Sequence, residues 1–114
     1  MRKNLTREER LRGGGDIENA FRNPETIARC RGAKLLACHN GLEINRFATV
    51  PTKKIGGAVK RNYTKRVFKE IYRNLKREIS DGYDIIVIAY GGEYKYAERE
   101  EQFIYLIHKA DIAK

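Results

Sequence analysis

The period of the apolar positions changes repeatedly along the chain, and each change marks an element. After a polar, basic stretch, Gly13-Gly14-Gly15-Asp16 reads as a loop with Asp16 as N-cap of a short helix carrying Ile17, Ala20 and Phe21, which Asn23-Pro24 ends. From Arg31 the pattern shortens. Ala33 to His39 and Leu42 to Val50 read as two strands joined at Asn40-Gly41, the strongest short hairpin signal. Pro51 has no N–H to give to a ladder, so it ends the second strand or lies on an edge. Between Lys53 and Arg77 the period becomes helical. At about 100° per residue, Tyr63, Val67, Phe68, Ile71, Tyr72, Leu75 and Ile79 share one side. Gly56-Gly57 opens this helix and Ser80-Asp81-Gly82 closes it. Tyr83 to Tyr90 holds the run Ile85-Ile86-Val87-Ile88-Ala89, continuous rather than alternating, which predicts a strand buried on both faces. Lys95 to Ala110 closes the chain as an amphipathic helix with Tyr96, Phe103, Leu106, Ile107 and Ala110 inward. The order helix, hairpin, helix, strand, helix predicts an α/β sandwich with helices packed on a mixed sheet. Residues 1–114 form one domain in this reading, with about the first ten mobile.

Charge changes the picture. The stretch from Lys53 to Arg77 holds ten Lys or Arg and one acid, Glu70, which accounts for the formal charge of +9 of the whole chain. The remaining residues carry fourteen basic and fourteen acidic side chains, so the excess is one patch. Lys65, Arg66, Lys69, Arg73, Lys76 and Arg77, with Asn62, fall opposite the apolar side of the helix, within roughly a third of its circumference. A solvated helix face is the ordinary explanation of a charge run, but such faces mix signs to make i,i+4 pairs, and this one has almost no acid. Repulsion on this scale is relieved by an anionic partner, and a polyphosphate is the expected one. Just upstream, Lys53, Lys54, Lys60 and Arg61 surround a Gly pair at the helix entry, where free backbone N–H groups and the positive dipole end also favour phosphate.

Composition bounds the rest. At 41% apolar and 34% charged, the chain is globular. It has no apolar run long enough to span a bilayer and no h-region after the basic amino terminus, which predicts a cytoplasmic protein. Cys30 and Cys38 lack Cys-x-x-Cys or paired-His spacing and read as thiols in a reducing compartment. A protein nuclease needs a carboxylate cluster for metal ions or an acid–base pair. Here the acids are scattered, and His39 and His108 each read as a surface or locally bonded imidazole. Asp81 and Asp84 flank a turn as helix stop and strand start. No catalytic residue and no metal-ligand set is expected in the chain, which argues against a stand-alone nuclease.

The stretch Lys53-Lys54-Ile55-Gly56-Gly57-Ala58-Val59-Lys60-Arg61-Asn62, continued through Lys65-Arg66, resembles the protein subunit of bacterial ribonuclease P. That family carries K-K-x-G-x-A-V-x-R-N-x-x-K-R from the end of a strand into its central helix, and Lys53, Lys54, Gly56, Ala58, Val59, Arg61, Asn62, Lys65 and Arg66 match in register. Near the amino terminus the family pattern L-[KR]-x-x-x-[DE]-F-x-x-V-F is met by Leu11, Arg12, Asp16, Ala20 and Phe21, with Ile17 in place of the usual Phe and three glycines before Asp16. The resemblance runs from Leu11 to Ala110. It implies a two-layer α-β sandwich with a four-stranded or similar mixed sheet, like the second domain of ribosomal protein S5. It also implies a left-handed βαβ crossover, against the usual right-handed rule.

In function, the resemblance implies an RNA-binding subunit that assists a catalytic RNA in removing the 5′ leader of precursor tRNA. Hydrolysis, with its Mg²⁺, belongs to the RNA, and the protein alone binds no cofactor. Lys53, Lys54, Lys60, Arg61, Asn62, Lys65, Arg66 and Lys69 are then the contacts to the catalytic RNA, and Ile17, Phe21, Arg31 and Leu36 line a cleft for the leader. Leu36 or a neighbour stands where the family has Tyr, so the aromatic platform is reduced. Ile17 and Phe21 suit core packing as well as cleft lining. Tyr63 stands where an Arg usually follows Asn; its register predicts core, and stacking on a base is the other reading. By charge alone, the helix equally suits a ribosomal or general structured-RNA-binding protein, from which only the Lys53 to Arg66 register separates it.

Overall fold

The continuous apolar run becomes the strand that organises the sheet. In the computed structural model, which describes residues 15–114, Tyr83–Ala89 (β4) lies between Ala33–His39 (β2), antiparallel, and Arg46–Pro51 (β3), parallel. Thr26–Cys30 (β1) adds to the far side of β2, giving the order β1-β2-β4-β3. Ile85, Ile86 and Val87 are 0% exposed because both faces of β4 are covered. On one face lie Ala58–Leu75 (α2) and Tyr96–Lys109 (α3); on the other lies Gly15–Arg22 (α1). Phe47 stacks on Tyr72 at 4.4 Å, and Phe103 meets both rings edge-on at 6.1 and 6.5 Å, which fills the larger core under α2 and α3. The smaller core is Ala20 of α1 against Leu36, Cys38 and Ile86. This is the expected α/β architecture with a mixed four-stranded sheet.

The strand pairing differs from the sequence expectation. Strands β2 and β3 do not form a hairpin at Asn40-Gly41; they lie on either side of β4. A strand that is apolar along its whole length needs a ladder partner at each edge as well as cover on each face, and β2 and β3 supply those edges. The Asn-Gly pair instead starts a longer loop. Asn40 accepts from Leu42 N at 2.8 Å and donates to Ile44 O at 3.0 Å and Asp84 Oδ1 at 3.1 Å. Asn45, 6% exposed, ties the loop to β4 by donating to Ser80 O and accepting from Tyr83 N. Leu42 and Ile44 are therefore exposed, and β3 starts at Arg46 rather than Leu42.

The true hairpin is β1 to β2, turned by Arg31-Gly32, with Gly32 at φ +89°. A side chain on Gly32 would also meet Tyr94 and Gln102 at 2.6 Å. Pro51 ends β3, which is an edge strand, as its missing donor requires.

Gly57 is the N-cap of α2, as expected, but the helix ends at Leu75. A 3-10 turn, Lys76–Glu78, and a bridge from Ile79 to Ala113 separate it from Ser80-Asp81-Gly82. Tyr96 is 38% exposed rather than inward, and Arg99 is the buried residue of that turn of α3. The proposed mobility of the first ten residues and the matches at Leu11 and Arg12 lie outside the described residues, and because α1 starts at Gly15, Asp16 falls within the helix rather than at its N-cap.

Candidate nucleic-acid interface

Helix α2 buries Thr64, Val67, Phe68, Ile71 and Tyr72, Leu75 packs half-buried against the core, and its other residues are exposed or half-buried. Lys60, Asn62, Lys65 and Arg66 are exposed, and Arg61 and Lys69 are half-buried. Lys53 and Lys54 are exposed on a 3-10 turn, Lys53–Ile55, immediately before the helix. The one acid on the helix, Glu70, is engaged by Arg73 at 3.0 Å. Among the described residues no carboxylate pairs with Lys53, Lys54, Lys60, Arg61, Lys65, Arg66 or Lys69. The first turn of α2 has no acidic residue and no side-chain cap, so its N–H groups and dipole add to the same positive end.

These residues do not form a single flat face. Ala58, Arg61, Asn62 and Lys65 meet Thr49, Val50 and Pro51 of β3 at a recess of about 330 Å³. Lys60 and Arg66 lie toward α3, where Val59 and Tyr63 line a recess of about 520 Å³ with Ile55, Tyr94 and Arg99. The buried arc of the helix is centred on Thr64 rather than Tyr63. The Thr64 hydroxyl is satisfied by donating to Lys60 O at 3.0 Å, while Tyr63 is 55% exposed, so the core assignment of Tyr63 is wrong. Thr49 lines the smaller recess, but its hydroxyl is buried, without a hydrogen-bond partner among the described residues.

The four residues expected in the leader cleft separate. Ile17 packs on the small core and Leu36 is 3% exposed within it, so Leu36 is floor rather than an open platform. Phe21 stands at the edge, 39% exposed. Arg31 is not with them: at the β1–β2 turn it lines a shallow depression with Tyr94, Glu98 and Tyr105, next to α3. The open sheet face beside α1 also carries half-buried Ala48, Val50 and Ile88, which the sequence reading passed over. The signal was there in the pairing Ala48↔Ile86 and Val50↔Ile88, which places all four on one face, but it needs the parallel register to be known.

The remaining polar groups are structural. Asp84, 5% exposed, is held two-pronged by Arg46 at 2.8 Å for each contact. Glu25 accepts from His39 N at 2.7 Å and contacts its Nδ1 at 2.9 Å, and these bonds hold its carboxyl below the ordinary range. Cys30 and Cys38 are free, and burial pushes both thiols up, away from nucleophilic character. Buried Arg99 donates to Gly32 O, Tyr90 O and Gln102 Oε1, with its guanidinium 4.4 Å from the centre of the Tyr94 ring. No group of three or more His, Cys, Asp or Glu among the described residues could hold a metal ion. None of the described helices is long and apolar enough to cross a membrane.

Known proteins share the fold that carries these residues. The ribonuclease P protein component of Clostridium botulinum strain Loch Maree is 33% identical over 109 residues, covering 93% of this chain and 97% of its own. That of Thermotoga petrophila is 38% identical over 88 residues, covering 77% and 74%. Among solved structures, the Staphylococcus aureus ribonuclease P protein superposes with TM-score 0.83 at 23% identity, over 93% of this chain and 98% of that one. The Thermotoga maritima protein gives 0.76 at 28%, over 87% and 94%. The family model for ribonuclease P matches residues 5–111, and the chain belongs to the ribonuclease P protein family.

Proposed function

We propose that this chain, as the RNA-associated protein subunit of the endoribonuclease ribonuclease P, docks α2 and its entry turn on the catalytic RNA and holds the single-stranded 5′ leader of precursor tRNA on the open sheet face beside α1. The observation that carries this reading is the row of cations from Lys53 to Lys69 with no carboxylate among the described residues to neutralise it. Arg61 and Arg66 suit two-pronged phosphate contacts, and the lysines act as point charges. Sequence-independent phosphate binding of this kind fixes the protein on a folded RNA. The leader is held differently, by apolar contact with Ile17, Phe21, Ala48, Val50 and Ile88.

Bond cleavage with its Mg²⁺ is assigned to the RNA, the division of labour that membership of the ribonuclease P protein family implies. A cytoplasmic setting belongs to the same proposal and suits the unpaired thiols. The test is reconstitution. Purified protein with Mg²⁺ is expected to leave precursor tRNA intact, and protein added to its own ribonuclease P RNA is expected to raise cleavage of leadered substrate in moderate salt. Mature 5′ ends released by RNA-free protein would overturn the assignment.

A further inference from the structure

The recess on the α3 side of α2 has a lip that neither the core nor phosphate binding accounts for. Val59 is 82% and Tyr63 55% exposed, on a stretch of helix where a solvated surface would carry polar side chains. With Ile55 and Tyr94 they line a cavity of about 520 Å³, a size typical of small-ligand sites. Its far wall is fixed. Arg99, 5% exposed, is anchored by hydrogen bonds of 2.9 to 3.1 Å to Gly32 O, Gln102 Oε1 and Tyr90 O, and it lies against the Tyr94 ring. Gly92 packs so closely under Tyr94 that a side chain there would meet the ring at 2.5 Å. The pocket is therefore pre-formed.

Charges stand on both walls. Lys60 and Arg66 stand on the α2 side, with the Arg66 guanidinium 5.9 Å from the centre of the Tyr63 ring. Glu93 is on the opposite lining with Arg99, whose guanidinium is already engaged by Gly32 O, Tyr90 O and Gln102 Oε1. An aromatic face, two cations without an acidic partner among the described residues and one carboxylate across the gap match the parts of a nucleotide. The ring takes a base, the cations take its phosphate, and the carboxylate repels phosphate while accepting from the N–H groups of a base edge. A second copy of this chain would bring a formal charge of +9 against a basic helix, which disfavours it as occupant.

We infer that this recess binds one unpaired nucleotide of the partner RNA, its base stacked on Tyr63 and its phosphate held by Lys60 and Arg66. The inference rests on the RNA-binding reading of α2 and adds to it a nucleobase site on the opposite flank from Arg61 and Lys65.

The experiment compares wild-type protein with Tyr63→Phe and Tyr63→Leu for affinity to its own ribonuclease P RNA across a salt series, with circular dichroism as the check on folding. Stacking predicts that Tyr63→Leu weakens binding roughly 5- to 100-fold with an unchanged salt slope, because one stacked base is lost and no phosphate contact. Tyr63→Phe keeps the ring and stays near wild type. Ultraviolet crosslinking of the unmodified particle, followed by peptide mapping, is expected to place a nucleotide on the peptide carrying Tyr63; this readout needs no variant to fold. Wild-type affinity for Tyr63→Leu, or a crosslink map that leaves Tyr63 bare, would overturn the pocket while leaving RNA binding in place. Sedimentation showing that Tyr63→Leu abolishes a dimer without touching RNA affinity would assign the recess to a second copy instead. A wild-type protein with no salt-dependent affinity for that RNA would remove the underlying reading itself.

Discussion

Replacing Lys54, Lys65 and Lys69 together with Gln separates phosphate binding from every other contribution to RNA affinity. None of the three lines the large recess of α2, and none meets a carboxylate among the described residues. Gln keeps most of the aliphatic stem, so packing along the helix changes little. Each cation that neutralises an RNA phosphate releases counterions and contributes about 0.7 to 0.9 to the slope of log K against log salt. Loss of three such contacts flattens the slope by about 2 to 3 units, so a fourfold rise in salt costs the variant roughly 20- to 40-fold less affinity than it costs the wild type. Filter binding or fluorescence anisotropy of the ribonuclease P RNA from low to moderate salt reads this directly. The melting temperature of the free variant should hold or rise, since repulsion along α2 is relieved. Parallel salt slopes for the two proteins would refute the phosphate contacts, and a clear fall in melting temperature would mean that these lysines support the fold.

Other outcomes follow from single sites. Phe21→Ala should weaken binding of leadered precursor tRNA in the reconstituted particle by roughly 5- to 100-fold with little salt dependence, and leave leaderless tRNA unaffected; equal losses on both substrates would remove the leader contact at that residue. Asp84→Asn removes the carboxylate that Arg46 holds by two contacts of 2.8 Å where Asp84 is 5% exposed, and should cost about 1.5 to 3 kcal/mol of stability in urea unfolding. The Glu25 carboxyl lies below its ordinary 4.5 because it accepts from His39. It therefore contributes stability above that pH that is lost as the pH falls through the lowered value. Thermal melts from neutral to acid pH should show Glu25→Gln losing this part of the acid sensitivity, and identical pH profiles would count against the contact.

How far the sequence could be read depended on whether a signal was local. Helix α2 and strand β4 were legible because period, charge and uninterrupted apolarity are properties of one segment. The Asn40-Gly41 turn misled because its local preference is real, as the hydrogen bonds of Asn40 show, yet which strands pair is decided by β4 some forty residues later. Strand β1 was invisible since only Ala28 of its five residues is buried, leaving Ile27 and Arg29 outward with no alternation strong enough to notice. Tyr63 was misplaced by one position of helix phase: Thr64, with its hydroxyl bonded to the turn below, fits the buried arc and the larger ring does not. Arg99 could not have been found, because a buried guanidinium depends on carbonyls donated by the β1–β2 turn and the end of β4.

Strand β3, at the sheet edge, connects the two surfaces proposed for RNA. Along it, side chains alternate: Ala48 and Val50 join the open face beside α1, while Phe47 enters the core beneath α2. Thr49 lies at the recess that Arg61, Asn62 and Lys65 overhang. In the proposed arrangement a leader strand on the open face lies next to the cations that would hold the catalytic RNA, since Val50 belongs to both surfaces. An unpaired edge is normally a hazard because another strand can add to it. Pro51 removes one donor at its end, and the positive charge of α2 beside it repels a second copy of the same basic chain while attracting polyanions. In the proposed arrangement the same charge disfavours a second copy at this edge and favours RNA there.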